Sequence, residues 1–300
     1  MPDLIAKATT VKNSLRDLAL ERIRRRRLAV YLKSNRRPWS TGYWEFRMQS
    51  LQEAIQDESL LTRFRKARPL PAGYGHRLDA RIIEIPWVLS RIPANAERFL
   101  DAGSALNHDF VLRSPALAQR KITIVTLAPE GQAFWNFGVS YLFGDLRELD
   151  CRDELFDCVA CISTIEHIGM DNSMYAGDAD IAVRGDPSEF LLAVRELKRV
   201  LKPGGTLFIT FPFGRYENHG WFQQFDSALL DRLVSEFSPA EANENIFKYE
   251  SDGWQLSERA LCSECEFFDV HEHTASGLAN GYPADYAAGE RAVACLELRK

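Results

Sequence analysis

Phe99-Leu100-Asp101-Ala102-Gly103-Ser104-Ala105 couples a carboxylate to a glycine two residues later. Asp101 can meet an ammonium group, while Gly103 gives a ligand close access to the backbone. Three segments downstream carry comparable groups. Thr126-Leu127-Ala128-Pro129-Glu130 offers the Glu130 carboxylate to sugar hydroxyls, and Gly144-Asp145-Leu146-Arg147 offers Asp145 to the exocyclic amine of a purine. Ser163-Thr164-Ile165-Glu166-His167 brings an imidazole, followed four residues on by Asp171. Imidazole titrates near neutrality, so His167 is a candidate general base for a hydroxyl nucleophile, with Asp171 as its companion. The alternative is that Glu166-His167 is a structural turn. His108 and His219, the latter in Arg215-Tyr216-Glu217-Asn218-His219, are further imidazoles that could reach the same cleft.

These groups need elements to position them, and from Glu97 onward the sequence alternates strand and helix. Arg98–Asp101, Lys121–Leu127, Val139–Phe143, Phe156–Ile162 and Thr206–Phe211 are short apolar, β-branched or aromatic runs that predict five strands. Each chemical segment above sits at the carboxyl end of one of the first four. Asp186-Pro187-Ser188-Glu189 predicts a helix start, with an acid at the cap and proline in the first turn. That helix runs to about Leu201, where Lys202-Pro203-Gly204-Gly205 stops it. A helix at Ser227–Phe237 and strands at Phe247–Tyr249 and Ala292–Leu298 complete the series. Such alternation implies an α/β fold, a mostly parallel Rossmann-like sheet with helices on both faces. Ligands of open α/β sheets bind beyond the carboxyl ends of the strands, where the four segments lie.

The order of these motifs resembles the class I S-adenosylmethionine-dependent methyltransferases. The resemblance spans about residues 97–215 and rests on the Asp101–Ser104 turn, Gly144-Asp145-Leu146, Phe156-Asp157, Glu166-His167 and Arg199-Val200-Leu201-Lys202-Pro203-Gly204-Gly205 before a strand. Ala102–His108 and Ser163–Asn172 look similar to a bacterial subgroup associated with surface-polysaccharide genes. The resemblance implies S-adenosylmethionine as cofactor. Asp101, Gly103, Ser104 and Ala105 would sit against its methionine part, and Thr126 and Leu127 would face ribose and adenine. Asp145 and Leu146 would frame the adenine, and Ser163 and Thr164 would lie beneath the sulfonium. Two positions depart from the family. The first turn keeps only Gly103, and Thr126-Leu127 lacks the acid that usually holds the ribose, with Glu130 three residues on as its substitute. The turn also lacks the GxGxxG that admits a dinucleotide pyrophosphate, which argues against a nicotinamide enzyme.

The resemblance implies methyl transfer to oxygen on a small-molecule or glycan-type acceptor. A methyltransferase-like binding protein without activity, and an RNA methyltransferase guided by a basic arm, are the alternatives. The arm is residues 1–75, predicted as a helical extension before a Rossmann-like domain at 76–300. Residues 1–68 hold 16 Lys/Arg against 7 Asp/Glu, whereas the whole chain has a net charge of −5. The basic arm is compatible with peripheral contact with an anionic membrane. The acidic body and the absence of an appended RNA-binding motif argue against nucleic acid. Helices are expected over Leu4–Tyr31, Trp44–Lys66 and Arg77–Ser90, the last interrupted at Pro86-Trp87. Trp39, Tyr43, Trp44, Tyr74 and Trp87 could cap the cleft from the arm side or form the docking interface. No apolar run reaches the ~18–20 residues of a membrane span, and the N-terminus lacks a signal-like apolar segment, so a cytoplasmic location is expected. Six cysteines in apolar segments read as free thiols. Cys262 and Cys265, expected on one face of a helix from about Leu256, form no common zinc pattern with His271 and His273, and no metal is expected. The loop Met170–Gly185, with Asp171, Tyr175, Asp178 and Asp180, reads as a lid over the acceptor, as carboxylates for a divalent ion or, ahead of the metal site, as a solvated acidic loop.

Overall fold

The computed structural model describes residues 2–176, 185–270 and 282–300, with side chains from residue 18 onward. Asp178, Asp180, His271 and His273 lie outside the described residues.

Four helices precede the first strand: α1 (Pro2–Lys33), α2 (Tyr43–Gln56), α3 (Glu58–Arg65) and α4 (Arg81–Arg91). The expected single helix over Trp44–Lys66 is two. Asp57 is the reason, because its Oδ1 accepts from the backbone N–H of Ser59 (2.9 Å) and Leu60 (3.2 Å) and so starts α3 anew. The expected interruption at Pro86 does not occur, and α4 runs through it. A proline there leaves the Ile82 carbonyl without its intrahelical donor. The Tyr74 hydroxyl replaces that donor at 2.6 Å.

The sheet region follows as β1 (Arg98–Ala102), α5 (Asp109–Leu112), β2 (Lys121–Thr126), β3 (Ser140–Phe143), β4 (Phe156–Ile162), α6 (Ser173–Ala176), α7 (Phe190–Val200) and β5 (Leu201–Pro212). It ends with β6 (Glu217–Asn218), β7 (Gln223–Gln224), α8 (Ser227–Phe237), β8 (Glu241–Glu250), β9 (Gly253–Ser257), α9 (Arg259–Cys262) and β10 (Ala292–Arg299). One eight-stranded sheet runs in the order β3-β2-β1-β4-β5-β10-β8-β9. The first five strands pair in parallel, and β10, β8 and β9 add antiparallel ladders. The fold is the mixed α/β, Rossmann-like arrangement that the alternation predicts. Gly253–Ser257 forms a strand where a helix from about Leu256 was expected, and the following helix ends at Cys262, so Cys265 lies beyond it.

Two-residue periodicity along the strands divides the core. Phe99, Cys158, Ala160, Phe208 and Cys295 face one side, where Leu51, Ile55, Phe64, Ile83 and Trp87 of α2–α4 cover them. Leu100, Val159, Cys161, Ile209 and Leu296 face the other, under Phe190, Val194 and Leu197 of α7 and Leu230 and Leu233 of α8. Each such fully buried aliphatic or aromatic side chain contributes about 1.5–3 kcal/mol. As expected, Asp186 caps the turn before α7, its Oδ1 accepting from Ser188 N–H at 2.7 Å. The strand order reverses between β1 and β4, which opens a crevice at their carboxyl ends.

Candidate active site

The carboxyl ends of β1 to β4 surround a cavity of about 410 Å³. Its walls bring together Gly103, Thr126, Leu127, Asp145, Leu146, Ser163, Thr164 and His167, eight of the residues singled out in the sequence. Asp101, Ser104 and Ala105 are not on the wall. Asp171 is not there either; it lines a neighbouring groove with His219 and Trp221.

The first turn is shaped for close approach. Gly103 has φ +110°, and a Cβ there would fall 2.0 Å from Thr164 Oγ1. Only glycine fits. Asp101 is fully buried at the end of β1. Its Oδ2 accepts from Leu106 N–H at 2.9 Å, while its Oδ1 has no partner. Burial, followed by the charge of Glu130, pushes the Asp101 carboxyl up to about 7 against the pull of backbone donors from Leu106 and Ala105. The Ser104 hydroxyl is a second buried, unpartnered group. Orphaned polar atoms are costly, and a ligand carrying an ammonium and a carboxylate beside this turn would satisfy both.

The second wall compensates for the missing acid. Glu130 lines the cavity, and its Oε2 accepts from Asn107 Nδ2 at 2.9 Å. Asn107 Oδ1 in turn accepts from the Tyr141 hydroxyl at 2.9 Å, so the carboxylate is oriented by a chain of side chains. Asp145 is held by a neighbouring cation. Burial raises its pKa, but Arg147 more than offsets this, and the carboxyl sits below its ordinary value. Arg147 reaches Asp145 Oδ2 at 2.6 Å and also pairs with Glu189, so the carboxylate expected to receive a purine amine is already held by a guanidinium.

His167 lies not on β4 but on a 3₁₀ turn, Ile165–His167, that follows it. Its Nδ1 is 2.9 Å from the Trp221 carbonyl oxygen. A carbonyl only accepts, so Nδ1 carries the proton and Nε2 keeps its lone pair. Nε2 is 3.9 Å from Glu166 Oε1. Burial presses the His167 pKa down to about 4 and pushes Glu166 well above the usual carboxylate range. At neutral pH His167 is therefore uncharged. Tyr175 packs edge-on against the imidazole with ring centres 5.2 Å apart.

Two groups escaped the sequence reading. Arg81 lines the cavity, and Glu84, fully buried behind it, accepts from Ser163 Oγ (2.6 Å), Thr210 Oγ1 (2.7 Å) and the Arg81 guanidinium. These bonds fix Ser163, whose φ of +37° places it in the left-handed region at the strand end. The signal was a lone acid in the apolar run Ile82-Ile83-Glu84-Ile85. Of the reserve imidazoles, His108 stacks on Phe110 and His219 on Phe222, and neither lines this cavity. Of the five aromatic residues expected to cap the cleft or to dock the arm, Tyr43 and Trp87 are core, and Trp44 is exposed beneath the Arg47 guanidinium.

Residues 114–209 match the family model described as a methyltransferase domain. This stretch is a methyltransferase domain, and it depends on S-adenosylmethionine. The match spans β2 to β5 and includes Thr126, Asp145, Ser163 and His167 of the cavity. No curated protein matches the methyltransferase. Among solved structures, the YcgJ protein of Bacillus subtilis is 14% identical, with 72% of this chain and 97% of that one covered and a TM-score of 0.44. A possible histamine N-methyltransferase of Thermotoga maritima is 16% identical, with 84% and 99% covered and a TM-score of 0.44. The 1,6-didemethyltoxoflavin-N1-methyltransferase of Burkholderia thailandensis, solved with S-adenosylhomocysteine, is 14% identical, with 83% and 88% covered and a TM-score of 0.43. S-adenosylmethionine is the methyltransferase's cofactor, and the orphaned Asp101 Oδ1 and the side-chain-free cradle at Gly103 fit it. Among the described residues no group of three His, Cys, Asp or Glu could hold a metal ion. No described helix is long and apolar enough to cross a membrane.

Proposed function

We propose that the methyltransferase acts on an oxygen of a small-molecule or glycan-type acceptor, with His167 taking the proton. Asp101, Gly103, Ser104 and Ala105 hold the methionine end of the cofactor. Thr126, Leu127 and Glu130 face the ribose, Asp145 and Leu146 bound the adenine, and Ser163 and Thr164 form the floor. The cofactor supplies a methyl group on a positively charged sulfur, already activated for transfer. The protein's part is alignment and removal of the proton. The acceptor hydroxyl would give its proton to His167 Nε2 while the cavity aligns its oxygen with the methyl group that the bound cofactor would supply.

One observation carries this reading: His167 stands on the wall of the cavity with Nδ1 committed to the Trp221 carbonyl, so the basic nitrogen is the one left over. A depressed pKa of about 4 keeps that nitrogen unprotonated across the neutral range. At saturating cofactor kcat should therefore be flat from pH 6 to 8 and fall only as the pH approaches 4. The test is methyl transfer by His167→Ala beside the intact protein, with S-adenosylhomocysteine binding as control. A drop of 10²–10⁴-fold in kcat with unchanged binding is expected for loss of a general base. Full turnover by the variant would remove His167 from this role, and Asp171, set in the neighbouring groove, would then be examined for proton relay.

A cytoplasmic location is part of this reading. So is peripheral contact of α1 with an anionic membrane, supported by exposed Leu18, Leu20 and Ile23 beside Arg24–Arg27. Co-sedimentation with vesicles containing phosphatidylserine, but not with neutral vesicles, is the expected result, and no co-sedimentation with either would end it.

A further inference from the structure

In doubly wound folds an acid beyond the second strand receives ribose hydroxyls. Here Thr126 ends that strand, and Glu130 stands on the loop that follows, exposed on the cavity wall. An exposed glutamate samples many rotamers, and ordering it only when a ligand arrives costs affinity. Glu130 is ordered beforehand. Pro129 precedes it, with its own φ fixed by the ring and the residue before it restricted, so the chain leaves β2 in a narrow range of directions. Asn107 then holds the side chain. Its Nδ2 donates to Glu130 Oε2 at 2.9 Å and to the Gln132 carbonyl at 3.2 Å, which pins the loop on both sides of Gly131. Among the described residues, Asn107 is the one hydrogen-bond donor to Glu130, which leaves Oε1 for a ligand.

The direction of each bond in this chain is determined. The Phe134 N–H donates to the Tyr141 hydroxyl at 2.8 Å, so the phenol turns its own proton to Asn107 Oδ1 at 2.9 Å. An amide whose oxygen receives that proton must direct its nitrogen to Glu130 and Gln132, whose oxygens only accept. The opposite flip of Asn107 would set its oxygen against a carboxylate and a carbonyl. Asn107 is buried, and its backbone N–H donates to the Ser104 carbonyl at 3.3 Å in the turn after β1. Tyr141 belongs to β3, and Trp135 packs edge-on against it with ring centres 4.6 Å apart. Three strand ends thus meet at one amide. The turn after β1 supplies it, β3 orients it, and the loop after β2 accepts from it. Neither Asn107 nor Tyr141 lines the cavity itself.

We propose that Asn107 and Tyr141 are positioning residues that hold Glu130 ready to accept from the cofactor's ribose hydroxyls, and that they thereby set a preference for ribose over deoxyribose. The assignment deepens the methyltransferase reading and rests on its placing of the cofactor in this cavity. A hydroxyl that donates to a carboxylate already in place makes a charge-assisted bond without the cost of ordering its partner.

The experiment measures calorimetric affinities of the full chain for S-adenosylhomocysteine and for its 2′-deoxy and 3′-deoxy analogues. The readout is the ratio of ribose-form to deoxy-form affinity. A loosened fold or a change at the methionine end weakens all three ligands alike and cancels in that ratio. The intact protein is expected to prefer S-adenosylhomocysteine by about 10-fold or more over at least one analogue, the scale of a hydrogen bond to a charged group. In Glu130→Ala that preference should fall below about 2-fold, and in Asn107→Ala and Tyr141→Phe it should shrink by about threefold or more. Tyr141→Phe removes one oxygen and keeps the ring, so it carries the test if Asn107→Ala does not fold. A preference that survives in Glu130→Ala would place the ribose contact elsewhere. A preference lost there but unchanged in Asn107→Ala and Tyr141→Phe would reduce the relay to packing. Either result overturns the proposal, as does equal binding of all three ligands by the intact chain. In each of these cases S-adenosylhomocysteine still binds and the methyltransferase reading stands, whereas binding of none of the three would overturn both.

Discussion

Asp101 pairs a structural cost with a binding gain. Its carboxyl is raised to about 7 in the folded chain, chiefly by burial, whereas an unfolded chain would release that proton near 4. The folded state therefore holds more protons than the unfolded state between these values. Its contribution to stability is fully present below about pH 4 and is lost as the pH rises through 7. Asp101→Asn keeps an acceptor for Leu106 N–H and removes the titration. Thermal melts should show the variant gaining several degrees over the parent at pH 8 and little at pH 4.5. The opposite trend is expected for cofactor binding. An ammonium set against the orphaned Oδ1 requires the ionised carboxylate, so S-adenosylhomocysteine affinity should rise up to about tenfold per pH unit from 5.5 to 7 and then level off. Calorimetric titrations at four pH values would show the slope. An affinity independent of pH in the intact protein would place the ammonium away from Asp101. Glu166 shares this environment, since its carboxyl is also buried and raised, with Oε2 unpartnered, but it stands beside the His167 imidazole and not beside the Gly103 turn.

At the scale of elements, α4 shows how a local rule can be set aside by a distant residue. Pro86 should stop or kink a helix, at a cost of about 3 kcal/mol. Here the freed Ile82 carbonyl is taken by the Tyr74 hydroxyl, from a turn that the sequence marks only as a linker. Tyr74→Phe leaves the carbonyl buried and unmet, and should cost about 1–2 kcal/mol in denaturant melts. In a Pro86→Ala background the new backbone N–H can serve Ile82, so the same tyrosine change should cost less than about 0.5 kcal/mol. An equal cost in both backgrounds would show that the hydroxyl does not stand in for the proline's missing donor. The same example marks what sequence can carry. The strands from β1 to β5 and the helix after Asp186 were legible because their patterning and caps are local. So were the strand-end positions of Gly103, Thr126, Asp145, Ser163 and His167. The split at Asp57, the continuity through Pro86 and the β9 strand were not. The strand depends on a partner across the sheet, the proline on a hydroxyl from another turn, and Asp57 reads as a cap only once α3 is known to start there. Glu84 and Arg81 were missed for a related reason, since they reach the site from a helix, Arg81–Arg91, that ends before the recognisable motif begins.

Across the whole molecule, packing is continuous over residue 75, where the sequence changes from arm to body. Tyr31, Tyr43, Leu51, Ile55 and Phe64 belong to one core with Phe99, Phe208 and Phe247 of the sheet. Polar contacts cross the same line: the Tyr43 hydroxyl donates to Asp79 Oδ2 at 2.8 Å, and Arg47 pairs with the same carboxylate. Burial alone would raise the Asp79 pKa, and the charge of Arg47, with hydrogen bonds from Arg47 and Tyr43, holds it below the ordinary value instead. At about 1.5–3 kcal/mol per fully buried side chain, those five apolar residues together represent on the order of 10 kcal/mol. A domain's entire stability is about 5–15 kcal/mol. A chain comprising residues 76–300 should therefore lose cooperative folding, although it retains every strand of the sheet and nearly every wall of the cofactor cavity. It should bind a hydrophobic dye, lack near-ultraviolet dichroism and show no sharp thermal transition, whereas the full chain melts in one step. A 76–300 chain with native-like dichroism and a cooperative melt would show that the arm is a dispensable attachment. It would also leave Asp79 without Tyr43 and Arg47, so the same preparation, if folded, should still bind S-adenosylhomocysteine through the cavity lined by Arg81 to Tyr175.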